Sequence, residues 1–238
     1  MKNILYAFMV LLTASPLCSC SDDDDALASV YPKARGTVTD DKGNVYGYVS
    51  IGGLDWTTTN ALNGTPLPDA TYFNGAMWTD LFTSDEKTEI RDVYMPAYGN
   101  LMTYDEAVAS APEGWRLPTD EDWQALERAL GMKDTAARGW RGDGVASLLV
   151  QTGGGTELGL GYGGYVKVTP GQYVATFEYA LDKVGEDGYY WTSTVDEGYT
   201  DMATAYFRHI MVANGSVARE AARGHCYMSV RWCRESGK

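Results

Sequence analysis

Residues 111–126, APEGWRLPTDEDWQAL, constrain the fold more than any other stretch of the chain. Pro112 and Gly114 end whatever element precedes them. Trp115, Arg116 and Leu117 alternate as in a strand, and Pro118 keeps Leu117 out of the helical region. Thr119 is then placed to cap a helix whose first turn, Asp120-Glu121-Asp122, is acidic, as the helix dipole favours. Trp123, Leu126 and Leu130 follow at helical spacing, and Gly131 supplies the stop. A tryptophan at each end of this turn-strand-helix knot predicts that it nails a helix onto a core.

The rest of the chain reads as short strands and loops. It has 238 residues, among them 17 Tyr, 7 Trp and 27 Gly but only 5 Phe, with few long helical patterns. A formal charge of −13 with scattered Lys and Arg argues against nucleic acid, whose phosphates need clustered cations.

The start of the chain is set apart from the fold. Lys2 and the apolar run 4–14 have the layout of a signal peptide over residues 1–19, too short to cross a bilayer as a helix. The sequence Leu17-Cys18-Ser19-Cys20 looks like a bacterial lipobox, with Cys20 as the acylated first residue. Several acyl chains on one cysteine exceed the marginal hold of a single chain and give stable anchoring. Residues 20–35 form an acidic tether. Its four consecutive aspartates, 22–25, read either as a solvated spacer or as a surface-export signal. Residues 36–238 form one domain.

Within that domain, strands are expected at 45–51 and 54–56 around the Gly52-Gly53 turn. Residues 60–74 read as loop, and 76–95 as mostly loop with at most one helical turn near Ser84. The Thr103-x-x-Glu106 capping box opens a helix over 104–110, the second helix spans 120–130, and a third short one covers 145–150. A hairpin around Pro170-Gly171 joins 165–168 to 173–179. Further strands are expected at 189–194, 203–212, 216–219 and 228–234, with Asn214-Gly215 as the sharpest turn.

These motifs in this order resemble the Fibrobacter succinogenes major paralogous (FISUMP) domain family. Residues 41–62, DKGNVYGYVSIGGLDWTTTNAL, look like its opening segment, and YGNLMTYDEA at 98–107 is similar to its next. PEGWRLPTDEDWQAL at 112–126 matches its most specific segment, and YWTST at 190–194 and Ser229-Val230-Arg231 match its later ones. The resemblance implies a C-type lectin-like α+β fold: a twisted antiparallel sheet, two main helices, long loops, and terminal segments that pair near each other. Trp115, Trp123 and Trp191, with Trp56, lie in the motifs and are expected in the core. The family commonly carries a cysteine just before the Pro-x-Gly-Trp segment and another after Ser-Val-Arg. Here those positions are Ala111 and Trp232, so an indole facing a methyl is expected to fill the place of a disulfide.

The chemistry-bearing residues are few. Cys226 and Cys233 are expected as free thiols, since strand spacing keeps them apart. Gly159, Gly161 and Gly164 spell GxGxxG, but a strand-like run follows where a dinucleotide site needs a helix. His209 and His225 stand in no zinc spacing. The Glu-Pro-Asn and Trp-Asn-Asp triplets of calcium-dependent sugar binding are absent, and Asp196, Glu197 and Asp201 read as exposed loop acids rather than a calcium site. No metal and no cofactor are expected. Trp78, Trp140, Tyr162, Tyr199 and Tyr206 are aromatics that the motifs do not fix. Tyr199, Asp201, Tyr206, Arg208 and His209 together form the expected ligand-binding face.

The functional expectation is a lipoprotein of the outer membrane, exposed at the cell surface and held by its lipid alone. It would act without enzymatic activity as a binding module for a surface glycan or protein. A structural role in a surface fibre or envelope complex is the alternative, and an envelope enzyme using Cys226 beside His225 a more distant one.

Overall fold

The computed structural model describes residues 29–170, 177–198 and 204–237. The expected signal peptide (residues 1–19) and the expected lipidation site Cys20 lie outside them, as do Tyr199 and Asp201. The chain forms a mixed α+β structure of several antiparallel sheets and helices. No helix among the described residues is long and apolar enough to cross a membrane.

One sheet joins the two ends of the domain. Its order is β1 (Arg35–Thr39), β2 (Val45–Ile51), β3 (Leu54–Thr57) and β14 (Cys233–Glu235), all antiparallel. Packing extends back to Val30, which lies against the core. The second sheet has six strands. Its order is β6 (Leu101–Met102), β13 (Met228–Ser229), β10 (Asp187–Val195), β11 (Thr204–Met211), β12 (Asn214–Arg223) and β7 (Gly139–Arg141). Only the β10–β13 contact is parallel. The expected strand 228–234 is therefore two short pieces that serve different sheets. Two hairpins stand apart: β4 (Thr71–Phe73) with β5 (Trp78–Asp80), and β8 (Tyr165–Pro170) with β9 (Phe177–Asp182). The turn of the latter, residues 171–176, lies outside the described residues; Pro170 itself is a strand residue facing Phe177.

The 111–126 knot behaves as its sequence predicts. Helix α4 (Asp120–Ala129) starts at Thr119, whose hydroxyl accepts the Asp122 N–H while the Asp122 carboxylate accepts the Thr119 N–H. Gly131 follows the helix at φ +98°, the left-handed conformation a glycine stop supplies. Arg116 exchanges backbone hydrogen bonds with Cys233, adding the knot to the edge of β14. Its guanidinium pairs with Asp122 and with Glu235. Trp115 packs in one hydrophobic cluster with Trp191 and Trp232, whereas Trp123 packs in another with Trp56 and Tyr190. The knot thus rivets two cores together. Ala111 packs against the first of them, and Trp232 belongs to it with its indole fully buried.

Helices α3 (Tyr104–Ala109) and α5 (Val145–Leu149) form where expected. The region 76–95 does not. After β5 the chain builds α1 (Ser84–Glu89), a wide π turn (Ile90–Tyr94) and α2 (Met95–Tyr98) as one continuous helical run. Thr83 and Glu86 make a reciprocal capping box at its start. Pro96 explains the wide turn, since it has no N–H to donate and its ring would clash with the carbonyl one turn earlier. Ile90 and Tyr94 are buried by this helix, and Gly99 ends it at φ +78°. The β11–β12 turn also departs from expectation. It is Val212-Ala213, with Met211 facing Asn214. Asn214 spends its side chain on the Ser216 N–H, and Gly215 is needed because a Cβ there would lie 3.2 Å from the Gly144 amide nitrogen.

Candidate functional site: an aromatic ridge on the outer face of the six-stranded sheet

The expected binding residues of β11 divide between two faces, because side chains alternate along a strand. Tyr206 and Arg208 point toward α4; His209 points the other way. Arg208 is fully buried, which corrects its reading as a ligand contact. Its guanidinium donates to Glu127 at 2.6 Å and to Asp120 at 2.7 Å. Arg141 donates to the other Glu127 oxygen at 2.6 Å, and Arg219 joins Asp120 at 2.7 Å. Burial works against the Asp120 carboxylate, but Arg219 and Arg208 outweigh it and hold its pKa below the ordinary value. Glu127 lies deeper, and there burial prevails over Arg208 and Arg141 and raises its pKa. Every charge in the network has a partner, which is the condition for burying it at all.

Tyr206 is also occupied by its own chain. Arg219 lies 4.0 Å over its ring, and its hydroxyl accepts from Arg138 at 2.8 Å. Asp196, considered for calcium, accepts from Arg138 at 2.7 Å and is 4 % exposed. Among the described residues no three His, Cys, Asp or Glu converge as a metal site. Cys226 and Cys233 are free. Burial pushes both thiols up in pKa, the opposite of what activates a nucleophile.

His209 alone of the described set reaches the opposite, outer face. There the strand register aligns Tyr189 of β10, His209 of β11, Ala218 of β12 and Trp140 of β7 in one row. Tyr189 and His209 stack with ring centroids 4.3 Å apart and planes 15° from parallel. Trp140 sits 4.8 Å from His209 although a whole strand separates them. Neighbouring strands are about 4.8 Å apart. The two rings therefore lean over Ala218, whose methyl leaves them room and is itself fully buried. Tyr165 of β8 extends the ridge at 4.8 Å from Tyr189. Asp187, 5 % exposed, anchors the middle by accepting the Tyr189 hydroxyl at 3.0 Å and contacting His209 Nε2 at 3.1 Å. Burial and this carboxylate both raise the Tyr189 pKa, so the phenol stays a donor at neutral pH. Trp140, 41 % exposed, ends the ridge at the sheet edge.

Sequence reasoning singled out Trp140 and His209 but missed Tyr189, Asp187 and Tyr165. Alternation within β10 and β11 was readable; the cross-strand register that brings 140 beside 209 was not.

The Fibrobacter succinogenes major domain profile matches residues 49–234. The chain belongs to this family. No curated protein and no solved structure matches it. The match covers β3, the knot, the ridge and the buried charge network. Arg231, in the family-like Ser-Val-Arg motif, is among the deepest charges. It donates to Asn60 Oδ1 and to the carbonyls of Thr57, Leu158 and Gly159 at 2.6–2.8 Å. Here family residues build a framework.

Proposed function

We propose that this FISUMP-family protein is a lipid-anchored surface module that binds a glycan, without catalysis, on the outer face of its six-stranded sheet. The observation that carries the reading is Trp140: a broad indole left 41 % exposed at the end of an ordered aromatic row whose middle is anchored by the Asp187 carboxylate. Aromatic side chains that are apolar in body and held rigid by neighbours offer large contact area at low entropic cost. The pyranose face of a sugar is matched by such a ring. The strongly acidic chain disfavours an anionic ligand. The lectin-like fold belongs to the same reading. It is supported by the pairing of the first strands with the last and by the helices packed on an antiparallel sheet. Lipidation at Cys20 would hold the module at the outer membrane, facing outward.

The test is a neutral-glycan array probed with the detergent-solubilised full-length protein and with Trp140→Ala. Binding by the first and its loss by about tenfold or more in the second is expected, as for truncation of a central aromatic anchor. No glycan bound, or equal binding by the variant, rejects the reading. In the same cells, Cys20→Ala should leave the membrane fraction; retention there at the original level would place the anchor elsewhere.

A further inference from the structure

A cleft of about 520 Å³ lies on another side of the molecule, between the α1–α2 helical run and β9. The helix contributes Glu86, Glu89, Ile90, Val93 and Ala97, one stripe at helical spacing. Val93 is 65 % exposed, an unusual state for a valine that lines a concave apolar wall. The opposite wall is Leu181 and Val184.

That wall is also a free strand edge. β9 pairs with β8 and with no other described strand. Val166, opposite Leu181 in the register, gives its N–H to the Tyr227 carbonyl on the far side. In an antiparallel ladder both members of such a pair turn their backbone groups outward. Leu181 and, two residues earlier, Tyr179 therefore aim N–H and C=O away from β8, and no described residue takes them. An exposed edge of this kind is a template for another strand. Nothing on the cleft blunts it: Pro170 lies on β8, and the one lysine close by, Lys183, is engaged with Glu186.

Charge selects what can enter. Glu86 is fixed by its cap to Thr83, which lowers its pKa and keeps it ionised. Glu89 is exposed and has no cationic partner among the described residues. Lys87 and Arg91, the cations of this helix, are turned to Asp80 and Asp69. Two copies of the chain would meet acid against acid here, so self-pairing is disfavoured.

We propose that this cleft binds an extended peptide segment, which adds to β9 as a third strand. Its apolar side chains would alternate into the Ile90–Val93 stripe, and a lysine or arginine would pair with Glu89. Main-chain hydrogen bonds to Tyr179 and Leu181 would give affinity, and the stripe and acids specificity, the usual division of labour in strand addition.

An array of heptapeptides alternating Val, Ile, Thr or Phe with Lys, probed with the full-length protein, tests this. The best member is then titrated by fluorescence anisotropy. Methylating its alternate amide nitrogens should weaken it by about tenfold, the equivalent of one or two lost backbone bonds. Val93→Lys and Glu89→Lys should each weaken it similarly while leaving the melting temperature unchanged, since both sites are exposed. Amide exchange at Tyr179 and Leu181 should slow on binding. Trp140→Ala should leave peptide binding intact, which separates this site from the glycan ridge. Binding of no array member, equal binding of the methylated peptide, or its displacement by self-association of the protein would overturn the proposal.

Discussion

Arg208 and His209 are chain neighbours in β11, yet they belong to different physical regimes. Arg208 sits at 0 % exposure beside Arg141 and between Asp120 and Glu127, two carboxylates for which it is a shared counter-charge. His209 lies on the reverse face in a row of rings that reaches solvent at Trp140. The inner face couples its residues: each carboxylate satisfies two arginines, so removing one member strands the others in low dielectric. On the reverse face the row continues at one end into the buried cluster of Trp191 and Phe207, and toward Trp140 it is held by ring contacts, each worth about 0.5–1.5 kcal/mol. A surface that loses little when altered is one that sequence change can adapt to a ligand. A buried ion network is not.

The comparison breaks most visibly at Arg208. Arg208→Ala should cost about 3–5 kcal/mol, because Glu127 and Asp120 keep their burial and lose the counter-charge they share. Denaturant titration measures this. A loss below about 1 kcal/mol would mean that the inner face is no more coupled than the outer.

Acid sharpens the same contrast on a smaller scale. Asp120 and Asp122 have folded pKa values held below the ordinary range, by Arg219 with Arg208 and by Arg116 respectively, against the opposing effect of burial. Their unfolded forms bind protons first, near pH 4. Their contribution is thus complete above about pH 4 and is lost as pH falls through the folded values. Glu127, raised by burial, acts in the opposite sense and offsets part of the loss. Unfolding free energy should fall between about pH 4 and pH 2. Asp120→Asn should remove much of that slope, whereas Trp140→Ala should leave it unchanged. An unaltered slope in Asp120→Asn would place the acid sensitivity outside the network.

How much of this was legible beforehand follows the range of the interactions. The knot at 111–126 was readable because its causes are local: a proline, a cap, an acidic first turn and a glycine stop. The burial of Trp56, Trp115, Trp123 and Trp191 followed from motif position, and that of Trp232 from its standing in place of the family's cysteine. The helix at 84–98 carried the same Thr-x-x-Glu signal as α3, yet 76–95 was expected as mostly loop with one helical turn near Ser84; the run instead continues past that turn through the π turn ahead of Pro96. The split between Tyr206 with Arg208 and His209 was implicit in period-two alternation. The placement of Arg208 inside was hidden, because an arginine is ordinarily a surface residue until its carboxylates, 81 and 88 residues away in sequence, are known to meet it. The ridge depends on register across four strands, and no short window of sequence holds that.

The smallest expected effect is the most informative about the outer face. Trp140 is on an edge strand of three residues, 41 % exposed, with His209 as its ring partner among the described residues. Truncation to alanine removes that stacking contact and uncovers the Ala218 methyl. It leaves no charge unpaired, and the Gly139–Arg141 pairing with β12 is main-chain and survives. Trp140→Ala should therefore cost no more than about 1 kcal/mol in unfolding free energy. Ala218→Leu is the complementary change: its bulk would push His209 and Trp140 apart from below, at a cost of about 1–3 kcal/mol as overpacking. If both cost the same, the row is a packed core that happens to touch solvent. If Trp140→Ala is nearly neutral and Ala218→Leu is not, the ridge is a rigid base carrying a dispensable cap, the arrangement expected where the cap's contribution is reserved for a ligand.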